Sequence, residues 1–419
     1  IVRSLSTITY CIGNNQRVQT IVTCATSRYI RNFCPKYARY PRELFVNHIG
    51  GAVRDSLLGR AVHDIDLATP LRPEEVMQRL KAAGLKAVPT GIDHGTVTAV
   101  ADGRTFEVTT LRRDVSTDGR RATVAFSDDW REDAARRDFT INALYADPQT
   151  GEIADYFGGL ADLEAQRLRF IGDATQRIAE DHLRILRYFR FLARYGGDVV
   201  DDDAYAACRV AANSLMALSR ERIADELIKL LAVAAPLRAL RLMVDGGILR
   251  AVLPEVDMAG IDRVETVMAR EAASETPPSA LRRLAALLPP DPAAVDQIGA
   301  RLKLSNKARK RLALAVEPGP ADEAPRALAY RVGMESAIDR LLLDVDRPLS
   351  ALVSLDGWTP PTLPISGGAL IARGLPPGPD VAKALQEVQK IWVEENFPDA
   401  TRVGLIADQT VSKFQRARQ

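Results

Sequence analysis

Histidine is scarce in this 419-residue chain: there are four, at positions 48, 63, 94 and 182, and none follows. A metal phosphohydrolase built on an adjacent His-Asp pair needs further imidazole ligands, so the second half carries no such domain. Cysteine is as rare, and three of the four (Cys11, Cys24, Cys34) stand near the start. Their spacings fit no zinc pattern, and Cys208 alone in the body excludes a disulfide framework and points to a reducing compartment. No apolar run approaches the roughly 20 residues that span a bilayer. No charge of one sign dominates: the net charge is +2, so any nucleic-acid binding must come from local basic patches. Asp and Glu are missing altogether from residues 1–42, which hold several Arg and many Ser, Thr and Asn. Such a composition suits an organellar transit peptide, or an unstructured extension. The localisation expected is therefore cytoplasmic, or organellar if those residues are a transit peptide. No repeat of 20–50 residues is present.

What remains is an ordinary globular composition, 47% hydrophobic and 26% charged, long enough for several domains. It is organised around Gly50-Gly51-Ala52-Val53-Arg54-Asp55, followed by Asp64-Ile65-Asp66. The apolar run Leu44-Phe45-Val46 reads as a strand leading into the glycines, and Ala52 to Leu58 as a helix. Two glycines at such a turn let the backbone approach a phosphate, because no Cβ intervenes. The helix that follows directs free N–H groups at that phosphate, and Arg54 adds a charged fork. Asp64 and Asp66, two apart on a strand, share a face. Paired carboxylates repel unless a cation lies between them, and Mg²⁺ carrying substrate phosphates suits that need. Separately, a GG pair is usually a turn and a DxD a solvated loop; the order and spacing together are more specific.

Pro73 to Ala83 has helical periodicity. Residues 95–100 and 105–110 alternate about Asp102-Gly103 and read as a hairpin. If that sheet carries Asp64 and Asp66, Glu107 is a candidate third metal ligand, although alternation alone does not fix its face. Residues 112–133 read as a polar loop with a short strand at Thr123–Phe126, either a lid or a solvated connector. Arg136-Arg137-Asp138-Phe139-Thr140-Ile141-Asn142-Ala143-Leu144 then reads as entering a helix. Ile178 to Tyr195 reads as one helix with an apolar side. Asp181, Arg184 and Arg187 step by three along an adjoining face. A carboxylate that accepts beside a guanidinium that donates can read the Watson–Crick edge of a base; an ion-pair ladder is the plainer alternative. The rest reads as mostly helical: 219–232, 236–245, 262–273, 279–288, 293–302, 306–315 and 381–395. A basic cluster (Lys303, Lys307, Arg309, Lys310, Arg311) could touch RNA or simply face solvent.

Together GG…DxD, RRDFTxNA and EDxxRxxR resemble the signature of the class II tRNA nucleotidyltransferase and bacterial poly(A) polymerase family. The resemblance is strong over residues 44–255. It implies an α+β chain: an N-terminal extension (1–43), a polymerase-β-like nucleotidyltransferase head of mixed sheet and helices (44–170), a helical neck (171–235), a body (236–360) and a tail (361–419). It implies that Arg137 contacts the nucleotide triphosphate and Asn142 the sugar or phosphate side, with Arg136 a weaker candidate. Asp181 and Arg184 would choose CTP or ATP without a nucleic-acid template, with Arg187 and Arg190 in support. Two Mg²⁺ on Asp64 and Asp66 would clamp the triphosphate and the RNA 3′-hydroxyl, and Gly50, Gly51 and Arg54 would hold phosphates. The activity expected is addition of CCA to tRNA 3′ ends. Poly(A) synthesis, partial CC or A addition, or a catalytically silent RNA-binding module are the alternatives.

Overall fold

A computed structural model of the chain describes residues 20–22, 46–62, 65–101, 104–118, 121–148, 150–320 and 322–416. The chain divides into two compact units, residues 1–254 and 255–419. Among the described residues no helix is long and apolar enough to cross a membrane.

The first unit is built on β1 (Thr20–Val22), β2 (Asn47–Ile49), β3 (Asp66–Thr69), β4 (Lys86–Gly91), β5 (Thr96–Ala101) and β6 (Arg104–Thr110), joined later by β9 (Leu144–Ala146) and β10 (Ile153–Asp155). These form one sheet in the order β1-β10-β9-β2-β3-β6-β5-β4, and β7 (Arg112–Asp118) with β8 (Arg121–Phe126) form a separate two-stranded arm. Helix α1 (Gly51–Leu57) follows β2 and α2 (Pro73–Ala82) follows β3. Alternation assigns the faces. Leu67, Val97, Ala99, Phe106 and Val108 point one way and meet Val76 and Leu80 of α2. Ile49, Ala68 and Tyr145 point the other way and pack with Leu111, Ala134 and Ile171. The expected hairpin is β5–β6. Of the strand expected at Leu44–Val46, Leu44 and Phe45 lie outside the described residues; β2 pairs with Ala68 and Leu67 on one side and with Ala146 and Tyr145 on the other.

Three expectations are corrected. The short strand expected at Thr123–Phe126 lies within β8, but the polar loop expected around it is replaced by β7 before it and α3 (Trp130–Ala135) after it. The segment from Arg136 does not enter an α-helix. Phe139 bridges to Phe170, a single 3-10 turn spans Thr140–Asn142, and β9 follows. The Asp138 carboxylate takes the Phe139 N–H at 2.9 Å, and Arg169 O takes the Thr140 N–H, so local donors are diverted from a helical ladder. The helix read across 178–195 is two, α5 (Ala174–Glu180) and α6 (Leu183–Tyr195). Asp181 between them is extended, and its carboxylate accepts the Leu183 N–H at 3.1 Å.

The short helix α4 (Gly159–Glu164) lies between β10 and α5, and α7 (Asp202–Val210), α8 (Arg220–Leu231) and α9 (Leu237–Asp245) complete the unit. Helix α6 is its pillar, burying Ile185, Leu186, Tyr188, Phe189 and Leu192. The second unit is all helical, α10 (Met258–Ala273) to α19 (Ala400–Arg416). Inside it Glu271, Arg282, Arg283 and Asp339 are buried as a paired network. Such pairing is what permits buried charge. In the tail, Leu370, Val388, Trp392, Ile406 and Val411 form a core of their own.

His48, in β2 between Leu67 and Ala146, has its pKa lowered by burial, against the opposing pull of Asp147, to about 4. A histidine depressed on folding leaves stability intact above about pH 6.5 and loses it as pH falls toward 4, by at most about 3 kcal/mol. Replacing His48→Val is expected to flatten urea-unfolding stability between pH 6.5 and 4. An unchanged acid slope would show that another group carries it.

Candidate active site

The turn after β2 is the floor of the site. Gly50 has φ 59°, and a Cβ there would lie 3.4 Å from both Arg137 Nη1 and the Asn142 carbonyl. A glycine suits both the left-handed backbone and the close approach. Around it opens a cleft of about 410 Å³ lined by Gly50, Gly51, Arg54, Asp66, Arg137, Asp138, Asn142, Asp181, Arg184, Arg187 and Phe191. That volume is of the order suited to one small-molecule ligand. Segments far apart in sequence thus contribute one phosphate-sized turn, four guanidinium-bearing side chains and three carboxylates.

Almost every charged group in the cleft is held by another. Arg54 is buried; its Nε donates to Asp55 at 2.9 Å and its Nη1 to Asn142 Oδ1. Its guanidinium also lies over the Tyr195 ring at 4.1 Å. Asn142 Nδ2 donates to Asp138 Oδ1 at 2.9 Å, and Arg187 Nε donates to Asp138 Oδ2 at 2.7 Å. Burial alone would raise the Asp138 pKa. Arg187, with the Asn142 and Phe139 hydrogen bonds, outweighs it and holds the carboxyl below the ordinary range. Both ends of the Asn142 amide are engaged internally. The side chain that resemblance assigns to the sugar or phosphate side therefore acts first as the link between Arg54 and Asp138.

Arg137 is fixed by partners outside the cleft lining. Its Nη2 donates to Asp133 at 3.1 Å and its Nε to the Tyr145 hydroxyl at 3.3 Å. Arg184 Nη1 donates to Arg177 O at 2.8 Å and to Glu180, and its Nη2 donates to Arg136 O at 3.0 Å. A guanidinium has five N–H donors, so a pinned Arg184 retains donors for a ligand. Arg222 donates to Asp181 Oδ2 at 2.8 Å. Phe191 lines the cleft between Arg54, Arg187 and Arg190, whose guanidinium carbons lie 5.2, 5.4 and 4.4 Å from its ring centre.

Not every expected residue reaches the cleft lining. Arg136 turns to Asp133 at 2.9 Å, and Arg190 pairs with buried Glu226 at 2.6 Å. Glu107 does not line the cleft, but it stands directly opposite Asp66 in the parallel β3–β6 pair and is exposed on the same face. Asp64 lies outside the described residues. Asp66 beside Glu107 is an all-oxygen donor set, which suits a hard divalent cation. Among the described residues no group of three potential ligands forms.

The sequence reading left the partners of several supports unidentified. Asp138 sits inside RRDFTIN, and its partner Arg187 could not be paired with it from spacing. Glu226 carried a signal: an acid among Ile223, Leu227 and Leu230 on the buried side of α8. Asp55 accepts from Tyr195 at 2.8 Å and from Arg194 at 3.3 Å, tying α1 to the end of α6.

Residues 46–169 match the family described as Poly A polymerase head domain, and residues 200–259 match the Probable RNA and SrmB-binding site of polymerase A. The chain is 34% identical to CCA tRNA nucleotidyltransferase 1, mitochondrial, of Danio rerio, over 83% of each chain. It is 36% identical to the CCA-adding enzyme of Streptococcus sanguinis, covering 84% of this chain and 90% of that one. Among solved structures, the Bacillus stearothermophilus CCA-adding enzyme in complex with CTP superposes with TM-score 0.70 at 26% identity, covering 94% of this chain and all of that one.

Removing the Asp138 carboxylate leaves the Arg187 guanidinium without its closest counter-charge. Asp138→Ala is expected to cost about 3–5 kcal/mol of stability in urea titration. Asp225→Ala, which breaks the exposed pair with Lys229, is expected to cost under about 1 kcal/mol. Equal losses would deny Asp138 its organising role.

Proposed function

The chain belongs to the family of CCA-adding tRNA nucleotidyltransferases, and we propose that it adds C, C and A to tRNA 3′ ends from CTP and ATP, without a nucleic-acid template. The observation that carries this reading is the cleft itself. Its lining includes Asp66, the glycine turn, Asp181 and Arg184, around a space of about 410 Å³.

Gly50 and Gly51 leave backbone room for a phosphate, and Arg54 and Arg137 supply positive charge to a triphosphate. Arg54 is buried and Arg137 half-buried, each against fixed partners, so little reorganisation is needed when charge builds on the reacting phosphate. A divalent cation, Mg²⁺ in our reading, would be held by Asp66 with Asp64, and with Glu107 beside them. When bound it would lower the pKa of the RNA 3′-hydroxyl and neutralise charge on the triphosphate. In-line attack on the α-phosphate with release of pyrophosphate then depends on positioning more than on any side-chain base.

Base choice follows from donor and acceptor order. Cytosine and adenine each offer an amino donor next to a ring-nitrogen acceptor, whereas guanine and uracil offer a carbonyl acceptor next to an N–H donor. A fixed carboxylate beside a fixed guanidinium complements the first pair and opposes the second. Arg222 and the Leu183 N–H hold Asp181, and the backbone carbonyls of Arg177 and Arg136 hold Arg184. The reading places the enzyme in the cytoplasm, with an organelle as the alternative on the strength of the acid-free residues 1–42.

Two variants test the assignment on a tRNA transcript that lacks CCA. Asp66→Ala is expected to abolish nucleotide incorporation while circular dichroism stays unchanged; substantial activity would remove the carboxylate from the metal site. Asp181→Ala is expected to lower CTP-over-GTP discrimination at least about tenfold, the scale of one lost hydrogen-bonded contact. Unaltered selectivity would reject the base-reading role.

A further inference from the structure

Among the arginines that line the cleft only Arg54 is buried, and much of what encloses it is aromatic. Its guanidinium carbon lies 5.2 Å from the ring centre of Phe191 and 4.1 Å from that of Tyr195. The two rings stand one turn apart on α6, four residues along the same face. Their centres are 5.6 Å apart and their planes 24° from parallel, so together they make one continuous aromatic wall. Tyr195 is 7% exposed and is not part of the cleft lining. Its hydroxyl donates to Asp55 Oδ1 at 2.8 Å, the same oxygen that accepts from Arg54 Nε at 2.9 Å. One residue thus acts twice on one guanidinium, through its ring directly and through Asp55 by its hydroxyl.

An aromatic face holds a cation differently from a carboxylate. The attraction runs from the charge to the negative face of the ring, so it consumes no N–H donor. A guanidinium has five such donors. Nε of Arg54 is taken by Asp55 and one Nη1 hydrogen by Asn142, so both Nη2 hydrogens are left over. Nη2 lies 3.5 Å from where a Cβ on Gly51 would stand, which puts these donors at the glycine turn. Arg60 and Arg194 also lie over the Tyr195 ring, at 4.9 and 5.2 Å, but neither lines the cleft.

We propose that Tyr195, with Phe191 beside it, is a positioning residue: the two rings clamp Arg54 so that its Nη2 donors face the triphosphate at the glycine turn. The inference rests on the reading that Arg54 holds triphosphate. The long side chain of Arg54 has many rotamers in the absence of such a wall, and each costs affinity when it must be frozen on binding. Asp55 and Asn142 fix two points of the guanidinium, and the rings fix its plane. Tyr195 comes from the far end of α6, 141 positions after Arg54 in the chain.

The test grades the ring's charge distribution while keeping its shape. In the full chain, position 195 is occupied in turn by phenylalanine and by its 4-fluoro, 3,5-difluoro and 3,4,5-trifluoro analogues. Each fluorine withdraws negative charge from the ring face. CTP affinity is read by calorimetry, and cytidine, which carries no phosphate, by its inhibition constant in first-nucleotide addition. From Tyr195→Phe onward the Kd for CTP is expected to rise stepwise with fluorination, and Tyr195→Leu to raise it about tenfold. The inhibition constant of cytidine is expected to stay within about twofold throughout. In an Arg54→Met background, Tyr195→Leu is expected to weaken CTP by less than about twofold further, because the ring acts through Arg54. A flat fluorination series, an equal loss on cytidine, or effects that multiply in the double variant would overturn the clamp. Should Tyr195→Leu fail to fold, the fluorinated series decides alone. Arg54→Met by itself is expected to weaken CTP at least about tenfold. Unchanged affinity there would refute the reading that Arg54 holds triphosphate, whereas a weakened Arg54→Met with a flat series refutes only the clamp.

Discussion

The cleft keeps its shape because the Asp138 carboxylate is charged while buried, and a buried charge must be answered. Arg187 answers it from α6, the Asn142 amide from the 3-10 turn, and the Phe139 amide from the backbone between them. Through Asn142 the same constraint reaches Arg54 beside the glycine turn. Helix α6, the 3-10 turn and the first helix after β2 are thereby fixed relative to one another within the first unit. The aromatic faces of Phe191 and Tyr195 extend the arrangement by covering the guanidinium of Arg54, which relieves part of the cost of burying an arginine.

The chain's net charge of +2 hides how uneven the charge is locally. Arginines concentrate around the cleft, each paired with an acid: Arg54 with Asp55, Arg137 with Asp133, Arg184 with Glu180, Arg187 with Asp138 and Arg190 with Glu226. Guanidinium donors left over after this pairing are what a polyanionic ligand can use. The design trades binding strength for geometry, since a guanidinium already engaged gains less from a phosphate but is presented in one orientation.

Much of this could be read from residues alone, and the failures have a common cause. The hairpin of β5 and β6, α2 and the helices from 220 to 316 were legible because apolar periodicity repeats over enough residues to fix the element. The GG turn, RRDFTIN and Asp181, Arg184 and Arg187 were legible as motifs. What escaped was decided by contacts distant in sequence. Periodicity carried straight through Asp181, but its carboxylate takes the Leu183 N–H and its backbone is extended. The polar run at 112–126 showed no apolar stripe because β7 and β8 form an arm of their own, outside the main sheet. The Asp138–Arg187 pair links two motifs that spacing treats as unrelated.

The most direct test of the account uses a tRNA transcript that ends at its discriminator base, incubated with the full chain, Mg²⁺ and each nucleotide alone or combined. The account predicts two added residues with CTP alone, a third only when ATP is also present, and nothing with GTP or UTP. A long ladder with ATP alone would instead make the cleft a poly(A)-polymerase site, and no product with any nucleotide would contradict catalysis there.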